Sequence, residues 1–592
     1  MKADTLNLND LFRKDIRFLV PMFQRPYVWT EEGHWQLLWQ DLQEVVELLL
    51  ENRDQATYEQ VERREPEDKT PPLFLGAIVL DQMATQTSRL ESREVIDGQQ
   101  RLTTLQVLIS AARTVAEELE FKDQVSFLDK FISNDRDLIK DDDHVLKVWP
   151  IEPDQDAFRK VILDPTLARE ESETNDNLHG LVDAFRFFVA EIRDWTTHGP
   201  ESAEERLDAL TSTLWWLIRT VVIDLEPKDD PQVIFETLNA RGTPLLAADL
   251  MKNLIFREAK KDGLSTEPLH TTYWERFDQK KWREEVRQGR LERPRIDVFV
   301  MHWLTMRTRE IVKAQQLFPE FRKYLIRTDS QIEDVLRDIS HYDGVYERCT
   351  PPYPKGRDGL FFQRLDAMET TTPMPALLWI YGDDSFARES QQRCIEIIES
   401  WLLRRMLCKL TTKNYNRVFI DLLKQLEGSK TARVDGVVLD FFQTREAHSE
   451  YWPKDEELSS AMINSPYWSR INRRRLRMVF LALERELRST GFTEELDISQ
   501  RLHIEHILPQ EWAHHWSLPG KEPAEIERLN RDEAKHTIGN LTILTEKLNP
   551  SISNAAWEKK RKAIGNHSVL LLNSSLKRLD TECAVTVRGS GR

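Results

Sequence analysis

The chain has 592 residues, room for roughly four domain-sized units at about 150 residues each. Its 83 Lys and Arg against 100 Asp and Glu give a formal charge of −17, which excludes a protein that coats nucleic acid through its overall charge and leaves only local basic patches. Hydrophobic residues at 40%, with 17 Trp, 25 Phe and 11 Tyr, exclude a chain that is disordered throughout. No apolar run approaches the roughly 18 residues of a membrane span, and Met1-Lys2-Ala3-Asp4-Thr5-Leu6 has no apolar signal core, so no membrane partner is expected. Cys349, Cys394, Cys408 and Cys583 are scattered without a C-x-x-C pair, so neither a disulfide framework nor a cysteine zinc site is expected, and a reducing, cytoplasmic compartment fits.

In chain order, 51–72 is polar and closes on Pro71-Pro72, the pattern of a surface loop. Leu73 to Leu80 and Arg93 to Ile96 have strand length and composition. Asp97-Gly98 is a turn signal, and Leu102, Leu105, Leu108 and Ile109 then share one helix face. Thr220 to Leu225 is a third strand candidate, and Asp230-Pro231 is a helix start that runs to about Gly242. From 250 to 460 the apolar residues recur at three and four, which reads as a helical middle region. At the end, His503 to Pro509 and Gly539 to Leu544 are strand-like, a helix begins near Ser553 to Ala556, and Arg588 to Arg592 is a tail.

Glu505 and His506 are adjacent, so on a regular strand they face opposite sides and meet one phosphate only where the strand ends or bends. Asn540 opens the second strand and Asn549 precedes the helix. Phosphodiester hydrolysis uses such a set. A neutral imidazole takes a proton from water, a hard cation such as Mg²⁺ prefers the oxygens of Glu505 and Asn549, and Asn540 orients His506. The three blocks, Ile504 to Pro509, Gly539 to Leu544 and Asn549, resemble the HNH (ββα-metal) nuclease pattern, more narrowly its domain-of-unknown-function 1524 type. The resemblance implies His506 as general base and Glu505 and Asn549 as metal ligands. His503 reads as structural.

Four blocks mark the front: Val20 to Trp29, Phe74 to Leu80, Val95 to Leu105, and Phe235 to Gly242 followed by Asp249, Lys252 and Asn253. They resemble the domain-of-unknown-function 262 family, related to ParB-type nucleotide-binding domains. A strand that ends in Asp97-Gly98 and turns into a helix offers backbone N–H groups and a helix dipole to phosphate. Arg101 and Arg25 add guanidinium contacts, Gln24, Gln99 and Gln100 add hydrogen bonds, and Asp97 holds a metal or orients water. With no G-x-x-x-x-G-K-[ST] loop, the nucleoside triphosphate (NTP) site is not a P-loop. Trp29, Trp35 and Trp39 at helical spacing read as core, while Glu236, Asn239 and Arg241 either cap a helix or reach the nucleotide.

The fold class expected is α+β and multidomain: a ParB-like α+β domain over 1–256, a helical linking region over 257–460, and a ββα-metal nuclease over 461–592. Lys559, Lys560, Arg561 and Lys562, with the run from Arg473 to Arg477, are the expected phosphate contacts. The stretch from Arg404 to Arg417 reads as an interdomain hinge. The two ends together resemble a fused restriction protein of the GmrSD kind. That implies an NTP-hydrolysing front domain, DNA, specifically modified phage DNA, as substrate, and His506, Asn540, Asp97 and Arg101 in the chemistry. A nucleotide-driven DNA-binding switch with an inactive HNH part and an RNA-cleaving toxin are the alternatives, and a homo-oligomer is left open.

Overall fold

A computed structural model describes residues 2–22, 24–58, 69–83, 90–135, 142–166, 168, 179–225, 246–288, 291–428, 433–489, 502–514, 516, 518, 523–545 and 555–578. The chain forms two compact units, Met1–Asp278 and Gln279–Arg592. It is α+β and multidomain, with an α+β front, a helical middle and a small two-stranded sheet near the end. No helix among the described residues is long and apolar enough to cross a membrane.

The front unit is built on a six-stranded mixed sheet. Its strands are β1 (Lys2–Asn7), β2 (Ile16–Leu19), β3 (Leu73–Gln82), β4 (Glu91–Asp97), β5 (Val148–Trp149) and β6 (Ile218–Leu225), in the order β1-β6-β3-β4-β2-β5. β3 pairs antiparallel with β4 and parallel with β6. Helix α1 (Gln36–Tyr58) extends into the stretch expected to be loop. Trp35 and Trp39 are buried, and Trp29 packs against the same core. Helix α2 (Gln99–Glu118) leaves β4 through Gly98 and runs through that core with Leu102, Leu105, Leu108 and Ile109 all buried. Gly98 has φ +92°, and a Cβ there would lie 3.0 Å from Ile78 Cγ1 and 3.2 Å from Ile78 Cα. Only glycine makes this strand-to-helix turn without strain. The expected helix from Asp230 to Gly242 lies outside the described residues.

The second unit opens with a hairpin of β7 (Glu285–Gln288) and β8 (Leu291–Pro294), then becomes helical. The hinge expected at Arg404 to Arg417 is corrected. Arg405, at the end of the helix α3 (Arg388–Leu407), is fully buried. Its guanidinium donates to the carbonyls of Tyr451 (2.8 Å), Ser449 (2.9 Å) and Thr411 (3.1 Å) and lies over the Trp401 ring. Arg404 donates to the Pro453 carbonyl. The pair fastens the chain just ahead of the C-terminal part. Replacing Arg405 with Met leaves those carbonyls without their donor, and a loss of about 3 kcal/mol is expected in denaturant unfolding. Unchanged stability contradicts the staple.

His302, on the helix Arg295–Thr308, is buried, and burial pushes its imidazole down to about 4. The unfolded chain therefore binds a proton below about pH 6.5 that the folded chain refuses, so stability falls as pH drops from 6.5 towards 4. A His302→Gln chain is expected to show a shallower fall in melting temperature between pH 6.5 and 4.5; an unchanged slope refutes this.

Candidate active site

Near the C-terminus, β9 (Leu502–His506) pairs antiparallel with β10 (Leu541–Thr545), with Glu505 opposite Thr542 and His506 opposite Leu541. A helix, Ala524–Ala534, lies between the strands, and the helix α4 (Trp557–His567) follows them. Ile507, Leu508, Leu544, Trp557 and Ile564 form the core that packs this strand–strand–helix unit.

His506 is 3% exposed at the strand end. Its Nε2 lies 3.4 Å from His536 Nδ1, and either ring can be the donor. Trp468 meets the His506 ring edge-on at 4.2 Å, and Arg473 lies 3.3 Å over Trp468. Burial first, then the His536 ring and the charges of Lys560, Arg473 and Lys535, push His506 down to about 3. The imidazole is neutral at physiological pH. His536 and Trp468 were missed in the sequence. His536 stands four residues before Asn540, just ahead of the block Gly539 to Leu544 already singled out, whereas nothing local ties Trp468 to the site.

Glu505 faces other partners. Its Oε1 accepts from Lys560 Nζ at 3.0 Å, and the same ammonium donates to the His506 carbonyl at 2.6 Å. Burial pushes the Glu505 carboxyl up and the Lys560 ammonium down, each opposed by the charge of the other. The expectation that Lys560 contacts nucleic acid is thus corrected: at 1% exposure it is an internal strut, while Lys559 and Lys562 are exposed and Arg561 is half-buried. The arginine run is also engaged internally, with Arg474 on Asp366 and Arg475 on Glu369.

Asn540 does not bond the His506 ring. Its Oδ1 accepts from Leu508 N (2.8 Å), and its Nδ2 donates to the carbonyls of Leu508 (3.1 Å) and Lys535 (2.8 Å). Its carbonyl accepts from Ile507 N. Asn540 therefore fixes the turn after His506 and acts on the ring only through the backbone. Asn549 lies outside the described residues. Among the described residues no three His, Cys, Asp or Glu side chains gather as a metal centre. The fit to a hard cation is partial: Glu505 supplies a carboxylate, and one of its oxygens is already on Lys560.

In the front unit, Gln24 Nε2 donates to the Ile96 carbonyl, Gln99 Nε2 to that of Arg25 and Gln100 Nε2 to that of Pro26. Gln100 Oε1 accepts from Val28 N. These amides lace the 24–28 segment to the strand end and helix start beside Gly98, a scaffolding role, while Gln99 Oε1 is buried with no hydrogen-bond partner among the described residues. Arg101 donates to the Ala77 carbonyl, beside a register shift in β3 that contains Gly76. Burial pushes the Asp97 carboxyl up, against the nearby Arg101 and Arg25 charges. The N-cap of α2 is Gly98, which has no side chain to cap it. Asp97, Gly98, Arg101 and Arg25 therefore meet at an uncapped helix start. Glu236, Asn239 and Arg241 lie outside the described residues.

Residues 8–256 match the family model described as GmrSD restriction endonuclease, N-terminal domain, and 452–582 match that described as GmrSD restriction endonucleases, C-terminal domain. No curated protein matches the chain. The front domain and the strand–strand–helix unit thus make this a restriction-type DNA endonuclease. The chain belongs to the GmrSD restriction endonuclease family.

The Glu505–Lys560 pair is testable by a double-mutant cycle. Lys560→Met leaves a buried carboxylate without its partner and is expected to cost about 3 kcal/mol or more; adding Glu505→Gln is expected to restore part of that loss. Additive losses in denaturant melts contradict the pairing.

Proposed function

We propose that the chain is an NTP-regulated, modification-dependent DNA endonuclease that acts in the cytoplasm against phage DNA, with His506 as general base. The observation that carries this reading is a buried imidazole at the end of β9, 3.4 Å from the His536 ring and edge-on to Trp468, in a chain of this family. The neutral ring accepts a proton from water as the water oxygen bonds to phosphorus. The bond from phosphorus to the leaving sugar oxygen breaks, and that oxygen leaves with a proton. In the free protein His506 is a weak base because burial and positive neighbours disfavour its charged form. An entering phosphate offsets Arg473, Lys535 and Lys560 and so raises its basicity. Access also requires the Trp468 ring to give way. Mg²⁺, held by oxygens of Glu505 and Asn549 with Lys560 sharing the Glu505 carboxylate, supplies positive charge to the scissile phosphate when bound.

In the front domain, the start of α2 with Arg101 and Arg25 receives the NTP phosphates, and Asp97 orients the attacking water. NTP binding there sets the arrangement of the helical middle and licenses or restrains cleavage.

The test incubates the protein with modified DNA, unmodified DNA and RNA, with Mg²⁺ and with or without NTP. Modified DNA is expected to be cut, with NTP changing the rate. His506→Ala is expected to lose on the order of 10²-fold or more in cutting and to keep NTP hydrolysis. Asp97→Ala and Arg101→Ala are expected to lose NTP hydrolysis. Cutting unchanged by His506→Ala removes the base assignment, and NTP turnover unchanged in both front variants removes the front site.

A further inference from the structure

Two cavities lie in the helical part of the second unit, outside the front domain. The first, about 340 Å³, is lined by apolar groups including Met301, Pro375, Phe419 and Ile420, and by His302. His302 Nε2 is buried and finds no hydrogen-bond partner among the described residues. A polar atom left dry in this way costs free energy unless something outside the protein bonds it. Arg293 and Lys313 also line the cavity, and no Asp or Glu does.

The second cavity, about 590 Å³, shares Thr371, Thr372 and Asn416 with the first, so the two adjoin. Its lining carries Lys409, Arg470 and Arg475 against a single carboxylate, Glu369, which is already paired with Arg475. Lys409 and Arg470 line the same cavity, and burial with the like charge of Arg470 pushes the Lys409 ammonium down. Such a pair is relieved by an anion.

A chamber with an apolar Met301, Pro375, Phe419 and Ile420 wall, polar groups opposite and one dry imidazole nitrogen, beside a cationic chamber, matches a ligand that is flat and weakly polar at one end and anionic at the other. We propose that these adjoining cavities bind one nucleotide unit, its base on the Phe419 and Ile420 wall within reach of His302 and its phosphate on Lys409 and Arg470. The apolar walls take the base faces, and His302 reads one polar edge. The unit comes either as a free mononucleotide or as one nucleotide of a DNA strand.

Photocrosslinking of the full chain with an azido-nucleoside monophosphate, followed by peptide mapping, tests this. Label is expected on peptides from Arg295–Thr308 and Tyr415–Gly428. Lys409→Glu/Arg470→Glu, on the open side of the second cavity, is expected to cut that label at least tenfold with no change in melting temperature. His302→Phe, which keeps the ring and removes the polar nitrogen from the first cavity, is expected to cut the label at least tenfold without touching the basic groups. Competition by unlabelled mononucleotide supports a free ligand, and competition only by a single-stranded oligonucleotide supports a nucleotide of a strand. Absence of label on both peptides, label unaffected by both variants, or competition by inorganic phosphate as strong as by nucleotide overturns the proposal. Label on front-unit peptides is read separately, so the fate of the front NTP site does not decide this one.

Discussion

The buried ammonium of Lys560 governs what the C-terminal site can be. An ammonium at 1% exposure is costly unless it is paired, and Lys560 meets the requirement twice, with Glu505 Oε1 and with the His506 carbonyl. Those two bonds tie α4 to the last two residues of β9. The strand end is therefore fixed from one side by Lys560 and from the other by Asn540, which holds the Ile507–Leu508 turn. The same cation contributes to keeping His506 neutral. One side chain thus fastens the backbone that carries the ring and adds to the burial that keeps the ring neutral, and it competes for the carboxylate that a metal would use.

The front site follows similar logic with neutral groups. Gln24, Gln99 and Gln100 bond backbone, fastening the 24–28 segment across the start of α2. The groups with charge at that helix start are Asp97, Arg101 and Arg25, and Gly98 gives the turn its left-handed backbone. An uncapped helix start with guanidinium groups beside it favours an anion by the dipole and by direct charge. Asp97 opposes this when ionised, and its burial raises the share of the neutral form.

Strands with strong β composition were legible: β3, β4 and β6 lie where Leu73 to Leu80, Arg93 to Ile96 and Thr220 to Leu225 pointed. So did β9, β10 and the helix after them. The short strands β1, β2 and β5 were not, because Lys2–Asn7 is polar and Val148–Trp149 is only two residues, and both take their strand state from pairing with distant segments. The sites were legible as blocks and not as contacts. Residue type marks Lys560 as basic, and only the fold shows it folded inward onto Glu505. The glutamines beside Gly98 carry the same ambiguity, since an amide bonds a phosphate or a carbonyl equally well. His506 meets Trp468 across 38 positions of sequence, a contact that no local pattern encodes.

Charge accounting limits how this protein grips DNA. With a formal charge of −17, long-range attraction to a polyanion is absent, so contact rests on cations placed at the site. Several of the obvious ones are already engaged: Arg474 on Asp366, Arg475 on Glu369, Lys535 on Asp532 and Lys560 on Glu505. An ion pair at the surface is weak, so Arg474 and Lys535 exchange a carboxylate for a phosphate at little cost, whereas the buried Lys560 does not. Arg473 differs again: exposed, it lies over Trp468, the ring that meets His506 edge-on, and donates to the Trp468 carbonyl. Arg473, Trp468 and His506 are thereby stacked in one contact chain at the end of β9.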